Sequence, residues 1–213
     1  MKITILGAAG NVGRRIVNEA LSRGHEVTAV VRSPERIKEL PAGTNVQIGN
    51  ASNLNDIVRL SVGQDLVINA TRSAISNVDE VVMVTKTIME GLARTGVRLM
   101  IIGGAASLTV PGTNGKKVID SPQFLSASLR HIGEASFAQY EACLQEVRID
   151  WSYLSPPADL KAGNRTGKYR LGRDELIVDS QGNSSISIED LAIVVLDEAE
   201  QPGHHQTRFT AAY

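Results

Sequence analysis

Short apolar runs and longer amphipathic segments alternate through the first 155 residues of the chain. Residues 3–7, 26–31, 46–49, 65–69, 98–102 and 150–154 are brief, rich in β-branched side chains and mostly apolar at successive positions. That pattern predicts strands buried on both faces. Between them the period changes. Val78, Val81, Val82, Thr85, Ile88, Met89 and Leu92 recur at the spacing of one helical face. Val12, Ile16, Val17, Ala20 and Leu21 do the same and stop at Gly24, a suitable residue just past a helix end. Ser33 followed by Pro34 predicts a further helical start, with a hydroxyl cap and a proline in the first turn. Repeated strand–helix–strand units call for a parallel sheet with helices on both faces, a doubly wound α/β fold. Its ligand crevice lies at the carboxyl ends of the strands. Beyond residue 155 the pattern breaks. The stretch TGKYRLGRDELIVDSQGNSSISIED is polar, is interrupted by Gly172 and Gly182, and alternates only briefly. It predicts one or two β-hairpins, a helix over 189–198 and a last strand over 208–210. The expectation is one domain over 1–213, with a core over 1–155 and a small α+β part over 156–213 capping the crevice.

The first turn of this pattern carries chemistry. GAAGNVG, residues 7–13, follows a strand and opens an amphipathic helix, the setting of a Rossmann dinucleotide loop. Gly7 lets the chain turn tightly, Gly10 lets a pyrophosphate approach the main chain, and Gly13 lets the helix press on the sheet. Ala9, Asn11 and Val12 complete the loop, whose N–H groups and helix dipole attract phosphate. Roughly 20 residues further on, an NAD site would carry a carboxylate for the ribose. Here stand Arg32 and Ser33. A guanidinium can fork onto a 2′-phosphate, so the pattern points to NADPH rather than NADH. At the end of the third strand Asn50 and Ala51 fall near the expected adenine, where Asn50 either bonds the base edge or forms the turn. Ala70 and Thr71, after the fourth strand, fall beside the nicotinamide ribose, and Thr71 and Arg72 are placed to touch phosphate or substrate.

Composition narrows the partners. A net charge of -1 over 213 residues gives no electrostatic reason to expect nucleic acid or an anionic membrane. No segment approaches the ~20 apolar residues of a membrane span. A single cysteine, Cys143, forms no internal disulfide and fits a reducing, cytoplasmic setting; its helical context makes it a buried structural thiol. His204 and His205 are adjacent and lack a third ligand at useful spacing, so no metal is assigned. The oligomeric state is left open.

With IIGGAASL at 101–108 and WSYLSPP at 151–157 added to the loop and Arg32, the chain resembles the atypical short-chain dehydrogenase/reductases. Within them it is most similar to NAD(P)H-binding proteins of the NADH-flavin reductase and biliverdin-IXβ reductase type. The likeness extends through RTGKYRLGRDELIVD, SISIEDLA and the closing RFTAAY. It implies an NADPH-binding domain with a shallow site for a planar acceptor such as a flavin or quinone. It further implies that Gly103 and Gly104 bring Ala105, Ala106 and Ser107 alongside the nicotinamide, while Pro156 and Pro157 close its other end. Relatives often carry an aspartate where this chain has Asn50. No tyrosine here is followed four residues later by lysine, the dyad that delivers a proton to an alkoxide. A conjugated acceptor delocalises the charge it receives and needs positioning more than an acid. Ser107 is the one hydroxyl expected near the hydride, either bonding the acceptor or capping its turn. Two readings follow: an NADPH-dependent reductase, or a non-catalytic NADP(H) sensor like the NmrA-like relatives. Nucleotide-sugar isomerase or dehydratase chemistry is disfavoured by the missing dyad and the short C-terminal region.

Overall fold

The computed structural model describes residues 1–42, 44–72 and 77–213. The apolar runs become the strands β1 (Lys2–Leu6), β2 (Glu26–Val31), β3 (Asn45–Ile48), β4 (Leu66–Asn69), β5 (Arg98–Ile102) and β6 (Trp151–Ser155). They lie in the order β3-β2-β1-β4-β5-β6, all parallel. The order reverses between β1 and β4, so the crevice of an open α/β sheet opens at their carboxyl ends.

Helices cover both faces because the central strands are apolar on both. α1 (Gly13–Ser22) buries Ile16, Val17 and Ala20 against Ile3 and Ile5 of β1. On the opposite face α2 (Leu54–Ser61), α3 (Val78–Thr95) and α4 (Arg130–Leu144) set Ile57, Ile88, Leu92 and Cys143 against Leu6, Leu99 and Trp151. Thr4 is the buried polar residue of β1, and its Oγ1 donates to the Leu60 carbonyl at 2.9 Å, so burial leaves no unmet hydroxyl. Cys143 is fully buried, and desolvation pushes its thiol well above the ordinary range. It is a packing residue.

The C-terminal part differs from the expected hairpins. β7 (Asp159–Lys161) pairs in parallel with β9 (Ser185–Ser187), and β8 (Arg170–Gly172) pairs antiparallel with β10 (Thr207–Ala212). β10 in turn joins β6 in parallel, extending the central sheet to eight strands. The cause is α5 (Ile188–Glu200), apolar enough to require burial on the α1 face. Routing the chain through it turns the segment from β6 to β10 into a crossover rather than a hairpin.

Past the carboxyl end of β5, a smaller apolar cluster of Leu108, Val110, Val118 and Leu176 joins residues 105–118 to the C-terminal part. The Thr109 amide donates to the Asp174 carbonyl at 2.9 Å and the Leu176 amide to the Thr109 carbonyl at 2.8 Å. The chain between β5 and α4 therefore shares this end of the sheet with the C-terminal part. Among the described residues no helix is long and apolar enough to cross a membrane.

Candidate functional site

The loop after β1 is built by steric necessity. Gly7 has φ +77°, and a Cβ there would stand 2.7 Å from the Ala70 carbonyl oxygen. A Cβ on Gly13 would stand 2.2 Å from the Gly7 carbonyl oxygen, so the first turn of α1 lies directly on the loop. The Gly10 amide donates to that same oxygen at 2.9 Å, closing the turn. Arg14 is the first residue whose amide reaches a carbonyl four back, Gly10 at 3.0 Å. The amides of Asn11, Val12 and Gly13 precede that bond and stand at the positive end of the helix.

A cleft of about 550 Å³ opens above this loop, within the ~300–1,000 Å³ usual for small-molecule sites. Of the positions singled out in the sequence, it brings together Gly7, Ala9, Gly10, Asn11, Val12, Arg32, Asn50, Ala51, Ala70, Thr71 and Arg72. Arg32 is exposed at the end of β2 and makes no ion pair among the described residues. Asn69, buried behind the cleft, fixes the β4 turn by accepting from the Thr71 amide at 3.0 Å and its Oγ1 at 2.6 Å. Asn50 takes the turn-forming alternative: its Oδ1 accepts from the Ser52 amide at 3.1 Å and the Ser52 hydroxyl at 2.8 Å.

Sequence reasoning missed part of the lining. Arg36 reaches in from the short 3-10 helix Pro34–Glu39, with Nη2 donating to the Ala9 carbonyl at 2.9 Å and to Glu39 at 2.8 Å. Its only signal was a second basic residue soon after Arg32. At the far end stand Thr85 of α3 and Gln139 of α4, joined by Gln139 Nε2 donating to Thr85 Oγ1 at 3.1 Å. No local pattern marks these two as cleft residues, Thr85 reading only as part of a helical face, because helix packing brings them together.

Nine of the expected residues stand outside the lining: Gly13, Ser33, Gly103, Gly104, Ala105, Ala106, Ser107, Pro156 and Pro157. Gly13 serves the loop from behind. Ser33 is the extended residue capping the 3-10 helix, and its hydroxyl helps hold the Glu35 carboxyl below the ordinary range. Gly103 and Gly104 make room for other side chains: a Cβ on Gly103 would stand 2.0 Å from Tyr153 Cζ, and one on Gly104 2.6 Å from Ser136 Oγ. Pro156 and Pro157 are buried after β6.

Ser107, the hydroxyl expected beside the acceptor, is enclosed. It is 4% exposed, and its Oγ accepts from Arg208 Nη1 at 2.8 Å. Arg208 also bonds Asp174 at 2.7 Å and lies 4.4 Å over the Tyr140 ring. So enclosed, Ser107 ties the β5–α4 chain to β10. Tyr140 packs against Tyr153, ring centroids 5.1 Å apart. Desolvation pushes both phenols above their ordinary range, furthest for the fully buried Tyr153. Neither is poised to give up a proton. His204 and His205 part company, the first bonded to Glu198 and the second to Asp150, each at its Nδ1.

The chain as a whole is similar to known proteins. Residues 7–202 match a family described as NAD(P)H-binding. The protein YwnB of Bacillus subtilis (strain 168), itself uncharacterized, is 36% identical over 212 residues, 99% of this chain and 97% of that one. A solved protein of Bacteroides thetaiotaomicron, provisionally called an epimerase, is 42% identical with a TM-score of 0.91, covering 100% of this chain and 96% of that one. A Streptococcus pneumoniae structure, provisionally called an NADH-flavin reductase, is 28% identical with a TM-score of 0.86, covering 100% and 99%.

Proposed function

This chain belongs to the NAD(P)H-binding family of atypical short-chain dehydrogenase/reductase-like proteins, and we propose that it is an NADPH-dependent reductase of a flat conjugated acceptor such as a flavin. The observation that carries the reading is the glycine cradle beneath the cleft. The glycines, where a Cβ would collide with Ala70 and Gly7, keep the loop tight against β4 and α1, and its residues line the cleft at a helix N-terminus, which suits a diphosphate. Arg32 and Arg36 set two guanidinium groups at the ribose end, which suits a 2′-phosphate. Asn50, Ala51 and Ser52 would border the adenine, and Ala70, Thr71 and Arg72 the nicotinamide half.

When bound, the reduced nicotinamide supplies a hydride. The chain's own part is positioning: it binds the dinucleotide in one register and packs the acceptor beside it, without delivering a proton from a tyrosine–lysine pair. The absence of that pair from the sequence weighs against epimerase chemistry here, whatever the Bacteroides relative does. The buried single thiol favours a cytoplasmic setting, and the acceptor is a small molecule rather than nucleic acid or a bilayer. NADPH oxidation followed by absorbance, with FMN, riboflavin and simple quinones offered in turn, tests the reading. Turnover well above the cofactor's own decay is expected. Tight NADP(H) binding without turnover on any of them would replace it with the sensor reading, which the enclosed Ser107 favours.

A further inference from the structure

Asn11 brings two oxygen acceptors to the loop, its carbonyl and its side-chain Oδ1, and either of them turned toward a diphosphate would repel it. Arg15, one turn along α1, holds both. Its Nη1 donates to the Asn11 carbonyl at 2.9 Å and to Oδ1 at 2.7 Å. Arg14 Nη2 adds a further bond to Oδ1 at 3.0 Å. Arg15 is itself fixed from behind: its Nε donates to Glu189 Oε1 of α5 at 2.6 Å, and Glu189 Oε2 accepts from the Gly163 amide at 2.8 Å. The side chains of Arg15 and Glu189 are only 17% and 25% exposed, so solvent screens this pair less than a surface one. Burial works to raise the Glu189 carboxyl, but the bonds from Arg15 and Gly163 outweigh it and keep the group ionised.

Arg15 is not among the residues lining the cleft, and Glu189 meets its charge. It acts through Asn11 or not at all. We infer that Arg15, clamped by Glu189, is a positioning residue that gathers the oxygens of Asn11 away from the diphosphate, so that the loop faces the anion with donors only. The inference rests on the dinucleotide reading of the cleft and adds to it a distant control: α5 and the chain at Gly163 set the loop that α1 carries.

The diphosphate is common to NADPH, NADH and ADP but missing from adenosine 2′-monophosphate, which gives the test its contrast. Calorimetric titration of all four into the wild-type protein, Arg15→Gln and Glu189→Gln is the experiment. Arg15→Gln is expected to weaken ADP, NADPH and NADH by the same factor, about tenfold for lost charge-assisted bonds, and to leave adenosine 2′-monophosphate unaltered. Glu189→Gln loses less in the same pattern. Arg15→Lys, which keeps the charge but not the fork, falls between wild type and Arg15→Gln. Combined with Asn11→Ala, the Arg15→Gln loss should shrink, since one of its two targets is gone. Unchanged ADP affinity in Arg15→Gln, or an equal loss for adenosine 2′-monophosphate, overturns the inference while wild-type binding leaves the cofactor reading standing. Wild-type protein that binds none of the four overturns both.

Discussion

At Gly103 the sheet has no room for a methyl group, since the Tyr153 ring occupies the place at 2.0 Å. Tyr153 cannot swing aside: it is fully buried, and its hydroxyl donates to the Ser136 carbonyl at 2.9 Å. Gly103→Ala is therefore expected to cost ~3 kcal/mol, read as a lower denaturant midpoint. Gly103→Ala combined with Tyr153→Leu should recover part of that loss; equal stability of Gly103→Ala and wild type would show that the ring is free to move. Arg32 and Arg36 carry a different kind of expectation. Arg32→Glu should weaken NADPH by ~tenfold or more through repulsion of the 2′-phosphate, while NADH changes far less. Arg36→Gln should act in the same sense but also loosen the Ala9 carbonyl it holds at 2.9 Å, so some loss for NADH is expected too. Equal losses of both dinucleotides in Arg32→Glu would remove that arginine from the ribose end.

The N-terminus of α5 shows how one buried carboxylate can organise several segments. Asp190 accepts from the Thr166 amide at 2.7 Å, the Thr166 hydroxyl at 2.6 Å, the Gly167 amide at 2.9 Å and the Tyr213 hydroxyl at 2.7 Å. Burial alone would raise its pKa, but these donors outweigh it and hold the carboxyl below the ordinary range. A carboxyl depressed in the folded state contributes stability that is complete above the unfolded value of about 3.9 and is lost as pH falls through the folded value. Asp190→Asn should therefore flatten the acid side of a stability–pH profile and lower stability near neutrality. A profile parallel to wild type below pH 4 would assign the acid transition elsewhere. This cluster also marks where sequence stopped being informative. Up to β5 each strand sits within a residue or so of its apolar run, because buried parallel strands and amphipathic helices write their periods locally. Between β6 and α5 the chain is mostly polar, and β7, β8 and β9 are three residues long, with partners far away in sequence. Alternation there suggested hairpins, and only the need to bury α5 decides otherwise.

Taken as a whole, the molecule places its cofactor loop where the order of seven parallel strands reverses, between β1 and β4. The β1–β4 side of the cleft was readable because each contributing residue lies within two positions of a strand's end: Gly7, Arg32, Asn50, Ala70. The far side was not. Thr85 and Gln139 come from the middle of two helices, and the buried bond between Arg208 and Ser107 joins residues a hundred positions apart. The proposed activity depends on that readable side holding a phosphorylated dinucleotide. Calorimetric titration of NADPH and NADH into the purified protein tests it most directly. Saturable binding at one site per chain, with NADPH tighter by ~tenfold or more, is the predicted result. Heats of dilution alone for both dinucleotides would contradict the account at its base.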